Sequence, residues 1–216
     1  MVVRQLQALL AGIYDVPLAH DVAQFLLTDR AALPGASPVT TSDEQLLVAE
    51  DADGIALGLF LDPQVLARLA AANPLESLNG ANLADSWTAL EGVSHFVYLA
   101  WNADHDRPVS LLELELQAEI DKYVSSWWLL RAQDPERYPA ELHRLLFERC
   151  RIDEQLTGRQ VDLYREANQH ASRFCRRLER QLVAQGVPRQ HETLCELRRF
   201  YRLSRERKMA HIQRSS

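Results

Sequence analysis

The chain is poor in the residues that staple, hinge or anchor a protein. It has 3 cysteines in 216 residues. Cys150, Cys175 and Cys195 are odd in number, and their spacings of 25 and 20 residues fit no zinc-binding motif. Both patterns argue against a disulfide-stapled secreted fold, and a reducing cytoplasm with three mostly buried thiols is expected. Eight glycines and nine prolines, with no low-complexity tract, predict a chain that is ordered over most of its length. No apolar run approaches about 18 residues, so no membrane span is expected. The first stretch, MVVRQLQALLAGIYDVP, has too little basic charge and too short an apolar run for a secretory signal. Also missing are a Gly-rich phosphate loop, G-x-S-x-G, H-E-x-x-H, and any Cys/His pair at a recognisable spacing.

What is present is ordinary for a globular protein: 47% hydrophobic and 25% charged residues, enough chain for a real core. The charge is unevenly spread. Residues 1–107 carry 4 Lys+Arg against 14 Asp+Glu, whereas residues 108–216 carry 20 against 16. The basic half invites a nucleic-acid reading, which the overall charge of −6 disfavours. Attraction between the two halves, within one molecule or between subunits, is the plainer expectation.

Taken in order, residues 3–13 predict a short helix, with Leu6, Leu9, Leu10 and Ile13 on one side. Asp21 caps a second one from Val22 to about Leu27. His20 beside Asp21 is read as capping, since adjacent residues on an extended segment point apart. Leu33–Pro38 is a breaker-rich loop. Gln45–Ala49 and Ile55–Leu61 read as two strands of a hairpin, with Gly54 supplying the positive φ its turn needs. The acidic turn lacks the loop length and terminal Glu of a calcium site. Asp62-Pro63 is an N-cap followed by Pro at the first helical position. Beyond Arg131 the pattern is helical: 140–151, about 153–185, and 192 to about 213. Asn168 sits in the seam of the second of these and needs a partner. Arg198, Arg202 and Arg205 mark a basic face on the last, read either as a partner or phosphate surface or as cations near a helix C-terminus.

The central stretch, Trp87–Arg131, predicts an antiparallel helix pair over 87–103 and 111–131. Pro108 ends the first helix. Ser110 and Glu113 have the spacing of a capping box for the second. Leu112, Leu116, Ile120, Tyr123 and Trp127 form its apolar stripe. The first helix is apolar nearly all round, so it should be buried. Its one polar stripe, Thr88, Glu91, His95, Tyr98 and Asn102, would then need internal partners. Folding the pair about residues 106–107 brings Glu91, His95 and Glu119 together and sets Tyr98 opposite Glu115. Such a cluster is either a buried hydrogen-bond network that fixes register, with Tyr98, Glu115 and Asn102 as members, or a divalent-metal site. Glu and His at i, i+4 plus a third carboxylate can hold zinc.

Glu91-Gly-Val-Ser-His95 followed by Glu115-Leu-Gln-Ala-Glu119 on a second helix, with a β-hairpin before the pair, resembles the bacterial repressor-cleaving zinc metallopeptidases. The resemblance spans residues 44–131. It implies a zincin-like layout with Glu91, His95 and Glu119 as metal ligands. The chain departs from that family where Glu91 replaces the first His ligand and Gly92 the catalytic Glu. Without that Glu a metal-bound water has no general base.

The sequence thus predicts an α+β, mostly α fold. A β-hairpin region at the N-terminal side packs on a helical body built from the central pair and two long C-terminal helices. One unit spans 1–216, with 132–139 as the place where 1–131 and 140–216 would divide. The function expected is a non-enzymatic binding or regulatory module of the bacterial cytoplasm, with a protein partner or homodimer. The alternative is a metal-dependent hydrolase using a divalent ion such as zinc.

Overall fold

The structure is a computed structural model. It describes residues 1–17, 19–33, 42–51, 54–136, 139–148, 158–185 and 190–214. Cys150, most of the 33–38 loop and the first turn expected for the long helix fall outside them. The fold is α+β and mostly α. Among the described residues no helix is long and apolar enough to cross a membrane.

Helix α1 (Val2–Tyr14) buries Val3, Leu6, Leu10 and Ile13 on one face, the spacing expected of a helix lying on a core. Asp15 ends it in the left-handed conformation, φ 54°. Asp21 does act as an N-cap, accepting from the Ala23 amide. The segment it caps is a single 3-10 turn, however, and it runs into a short strand, β1 (Leu26–Leu27). The helix expected there does not form because β1 pairs parallel with β3, completing a sheet of order β1-β3-β2.

Strands β2 (Glu44–Asp51) and β3 (Gly54–Leu61) are the hairpin, with Gly54 at φ 142°. Their register pairs Glu44 with Leu61 and Leu46 with Leu59. These four side chains share a face, because directly opposed residues point the same way. That face meets the body, since Leu59 and Leu61 are wholly buried. Helix α2 (Pro63–Ala71) starts at the Asp62 cap with Pro63 in its first turn.

Helices α3 (Leu83–Ala103) and α4 (Leu111–Gln133) are the central pair. The capping box is complete at Ser110 and Glu113. Helix α3 starts four residues earlier than the sequence suggests. Its antiparallel register is read from Trp87 donating to Ser126 and Ser94 donating to Asp121. Helix α3 carries α1, α2 and the sheet on its sides, and α4 carries α5 (Leu142–Phe147) and α6 (Gly158–Gln185). The expected last helix is two: α7 (Gln190–Tyr201) and α8 (Arg205–Gln213). The break at Arg202–Ser204 contains neither Gly nor Pro. It lets Tyr201 face α1 and α3 while Lys208 turns back into the core.

Candidate functional site

Helix α4 is buried on every side, yet Glu113, Glu115, Gln117, Asp121, Lys122, Ser125 and Ser126 are among its buried residues. Groups of this kind are retained inside only when something satisfies them. Glu113 closes the capping box and Ser126 accepts from Trp87, whereas Glu115, Gln117, Asp121 and Lys122 belong to two networks on two faces of the helix.

The first faces α3, the hairpin and α6. It contains the three residues marked by the sequence, and it brings two of them, Glu91 and Glu119, together on an ammonium. Lys122 Nζ donates to Glu119 Oε1 at 2.6 Å and to Glu91 Oε2 at 3.1 Å. His95 turns away from both. Its Nδ1 lies 3.7 Å from Glu44 Oε1 and its Nε2 lies 3.8 Å from Glu115 Oε2. These are ion-pair distances, too long for hydrogen bonds. Glu44 arrives from β2, at the end of the face that packs on α3. Gly92 makes room for it: a Cβ there would stand 2.6 Å from Leu59 Cδ1 and 2.8 Å from Glu44 Cγ.

Four carboxylates therefore face two cationic groups. Burial works against a charge on His95, but Glu44, Glu115 and Glu91 outweigh it and push the imidazole up to about 9. Burial pushes Glu115 up to about 7, against the pull of His95. Glu44 and Glu119 are raised for the same reason. Glu91 ends below the usual range because Lys122 and His95 overcome its burial. The network thus keeps Lys122 and His95 charged and leaves Glu115 to take or release a proton near neutrality. Tyr164 of α6 closes it, its phenol raised by burial and by Glu115 and Glu91. Glu44 Oε1, His95 Nε2, Glu119 Oε2 and, on α6, Asn168 Nδ2 have no hydrogen-bond partner among the described residues.

The second network faces α1, α7 and α8. Asp121 accepts from Tyr14 at 2.5 Å, from Ser94 at 2.6 Å and from Gln117 at 2.8 Å. Burial raises Asp121 to about 6 against those three donors. Lys208, wholly buried, donates to Gln117 Oε1 at 2.9 Å. Its Nζ lies over the rings of Tyr98, Phe200 and Tyr201 at 4.4, 5.0 and 5.8 Å. Tyr98, expected opposite Glu115, belongs to this face instead. Asn102 bonds back to the Tyr98 carbonyl and not to the His95 cluster. The expected stripe splits at Tyr98 because α3 has neighbours on both sides.

The metal expectation can be tested on the donors. Glu91 and Glu119 meet on Lys122, and His95 points to the other two carboxylates. Among the described residues no group of three or more His, Cys, Asp or Glu is placed to hold a metal ion. As arranged, these side chains do not fit one. The basic face is also reassigned in part. Arg198 donates to the carbonyls of Ile13 and Gly12, and Arg202 to those of Tyr14 and Asp15. Both cap the C-terminal end of α1, where carbonyls lack helical partners. Arg205 remains exposed, on a cleft of about 370 Å³ that it shares with Arg107, Glu113 and Glu206. A second cleft, about 380 Å³, lies between α1 and the residues just after it. Cys175 is buried as expected, but Cys195 is exposed beside His191.

Glu44, Lys122 and Asp121 were not singled out by sequence, and Lys208 was not expected as an interior cation. The chain has two lysines against 22 arginines, and both lysines are buried.

Comparison with family models, with curated proteins and with solved structures finds no match to this chain.

Proposed function

We propose that this chain is a non-enzymatic binding or regulatory module of the bacterial cytoplasm, built on a helix pair that resembles a metallopeptidase centre but has become a structural core. One observation carries the reading: the Lys122 ammonium lies between Glu91 and Glu119, where a bound divalent ion would have to sit. An ammonium pairs with both carboxylates without offering a Lewis acid or an activated water. Gly92 supports the same reading. Where the resembled family carries its general base, this chain has no side chain, and Glu44 and Leu59 pack into the space. His95 is also nearly sealed, at 7% exposure, which leaves a substrate little access to it. A partner would meet the outside of the molecule instead. Val48 and Ile55, at 53% and 46% exposure on the hairpin, are the large apolar side chains such a partner would cover.

The test is the metal content of protein purified without chelator or affinity-tag metal, as wild type and as His95→Ala. The module reading expects no stoichiometric metal in either, and a melting temperature that a chelator leaves unchanged. Stoichiometric zinc, manganese or iron in the wild type, lost from His95→Ala, would replace it with the metal-dependent hydrolase.

A further inference from the structure

The sheet keeps one long edge open. In the order β1-β3-β2, one outer strand is β1, two residues long, and the other is β2, eight residues long. A short outer strand offers a newcomer little to pair with, whereas a long one is a template for another strand. The Asp62 amide donates to the Asp43 carbonyl, and in the hairpin register this puts the odd-numbered residues of β2 in bonds to β3. The Leu59 amide has the matching phase. It donates the other way, to the Phe25 carbonyl, and Leu59 stands opposite Leu46. The even-numbered residues of β2 therefore aim their N–H and C=O groups outward. Ser42 Oγ donates to the Glu44 carbonyl. Among the described residues nothing takes up the outward backbone groups of Leu46 and Val48.

Outer strands are ordinarily blunted by Lys, Pro or a bulge. Strand β2 has none of these. Residues 43–51 hold no Lys, Arg or Pro, and the pairing with β3 runs unbroken from Glu44–Leu61 to Asp51–Gly54. The apolar face of the hairpin also outruns the body. Leu61 and Leu59 are buried and Leu57 is half-buried. Ile55 on the same face is exposed, as is Val48, which stands opposite Leu57.

We propose that the free edge of β2 accepts an extended basic peptide as a fourth strand, an inference that rests on the module reading and names the partner's chemistry. The edge supplies main-chain bonds at Leu46 and Val48, and Leu46, Leu47 and Val48 are apolar neighbours for successive side chains of the added strand. Charge selects the occupant. Residues 43–53 carry five Asp or Glu and no Lys or Arg. The run is acidic at both ends and apolar between, so the segment it fits is apolar in the middle with Lys or Arg on either side. A second copy of β2 would set two such acidic runs against each other, and like charges placed opposite are destabilising. The imbalance extends over residues 1–107, with 4 Lys+Arg against 14 Asp+Glu, so a basic segment is drawn to this half of the chain.

The test uses the full-length wild type and two probes: the capped peptide Lys-Lys-Val-Thr-Val-Thr-Val-Lys-Lys, and its counterpart with Glu for every Lys. Each carries a fluorophore for anisotropy. The basic peptide should bind at low salt, about tenfold or more tighter than the acidic one, and should release as salt is added. Amide hydrogen exchange should show Leu46 and Val48 unprotected in the free chain and protected with the peptide bound. Val48→Pro removes an N–H that β3 does not use, so the hairpin stays paired and the peptide should bind about tenfold more weakly. Val48→Lys, which blunts the edge with a cation, should weaken it in the same direction. The proposal is overturned if neither peptide binds, if both bind alike, or if the basic peptide binds and leaves Leu46 and Val48 unprotected. Protection of these two amides in the chain alone, rising with its concentration, would give the edge to a second copy and overturn it too. These readouts need no variant, so a misfolded Val48→Pro does not shelter the idea. None of them reads metal, so a metal-free chain that binds no peptide ends this inference and leaves the module reading standing.

Discussion

The two faces of α4 solve one problem in opposite ways. On the side of α3 and the hairpin, four carboxylates surround Lys122 and His95, and acid is in excess. On the side of α1, α7 and α8, one carboxylate is saturated by three neutral donors, and the lysine sits among rings. Burial is nearly the same on both sides: Lys122 is 7% exposed and Lys208 wholly buried. Yet Lys122 is driven above its ordinary range and Lys208 down to about 7. The difference lies in contact. Glu91 and Glu119 touch Lys122 directly, whereas Asp121 meets Lys208 only through the Gln117 amide. Desolvation is common to both. The direct ion pair decides which lysine remains an ammonium.

The largest expected effect breaks the first face. Lys122→Met leaves the half-buried Glu91 and Glu119 without their cation, which costs on the order of 3 kcal/mol by urea unfolding at pH 7. Adding Glu91→Gln and Glu119→Gln should restore part of it, since apolar or neutral replacement of a whole buried cluster costs less than breaking it. A single mutant within 1 kcal/mol of wild type would show that the ammonium is not what holds the pair. Next in size is a pH effect. Glu115 rises from 4.5 to about 7 on folding, so the folded state holds its proton more tightly than the unfolded one. Its contribution is complete below 4.5 and is lost as pH rises through 7, on the order of 2–3 kcal/mol. Glu115→Gln, which imitates the protonated form, should lose less stability than wild type between pH 4.5 and 7. Parallel pH curves for the two proteins would sink that account. His95 behaves likewise one window higher, lost as pH rises from 6.5 through about 9, just where Lys208 contributes in the opposite sense.

A smaller change sharpens how the first face is assembled. Gly92→Ala adds a methyl 2.6 Å from Leu59 Cδ1 and 2.8 Å from Glu44 Cγ. Overpacking of that kind costs about 1–3 kcal/mol, offset by up to about 1 kcal/mol of helix propensity. Combining it with Glu44→Ala should remove much of the penalty. If the double mutant is simply additive, Glu44 does not occupy the space beside Gly92, and the sheet approaches α3 for some other reason.

How much was legible in the sequence depends on the range of each signal. Ser110, Glu113 and Pro108 act within one turn of chain, and the second central helix starts where they place it. Gly54 and the Asp62-Pro63 pair were legible on the same ground. The meeting of Glu91 and Glu119 depended on one hairpin register and was reachable by counting. Lys122, three residues beyond Glu119, carries no such signal, because a lysine on an apolar helix usually snorkels out. Glu44 needed the docking of the sheet on α3, Lys208 needed a break in the last helix, and β1 needed a partner 33 residues away. None of these leaves a periodic trace. The arginines misled for a related reason: a basic stripe looks the same whether it faces solvent or the end of another helix.

That ambiguity gives the smallest prediction and a clean one. Arg202 donates to the Tyr14 and Asp15 carbonyls, and Arg205 lies exposed at the cleft between the α3–α4 turn and α8. A cation at the C-terminal end of a helix is favoured by the dipole, and its hydrogen bonds add to that. Arg202→Ala should therefore cost about 1 kcal/mol, while Arg205→Ala stays within about 0.5 kcal/mol of wild type. If these residues served a polyanion instead, both substitutions would be neutral for stability. Both would then weaken binding to a nucleic acid at low salt, and the affinity lost would fall steeply as salt is added. Unequal stability with no binding at low salt places Arg202 in the same class as Lys122: a cation whose work is internal, on a chain whose outer cations are nearly all arginine.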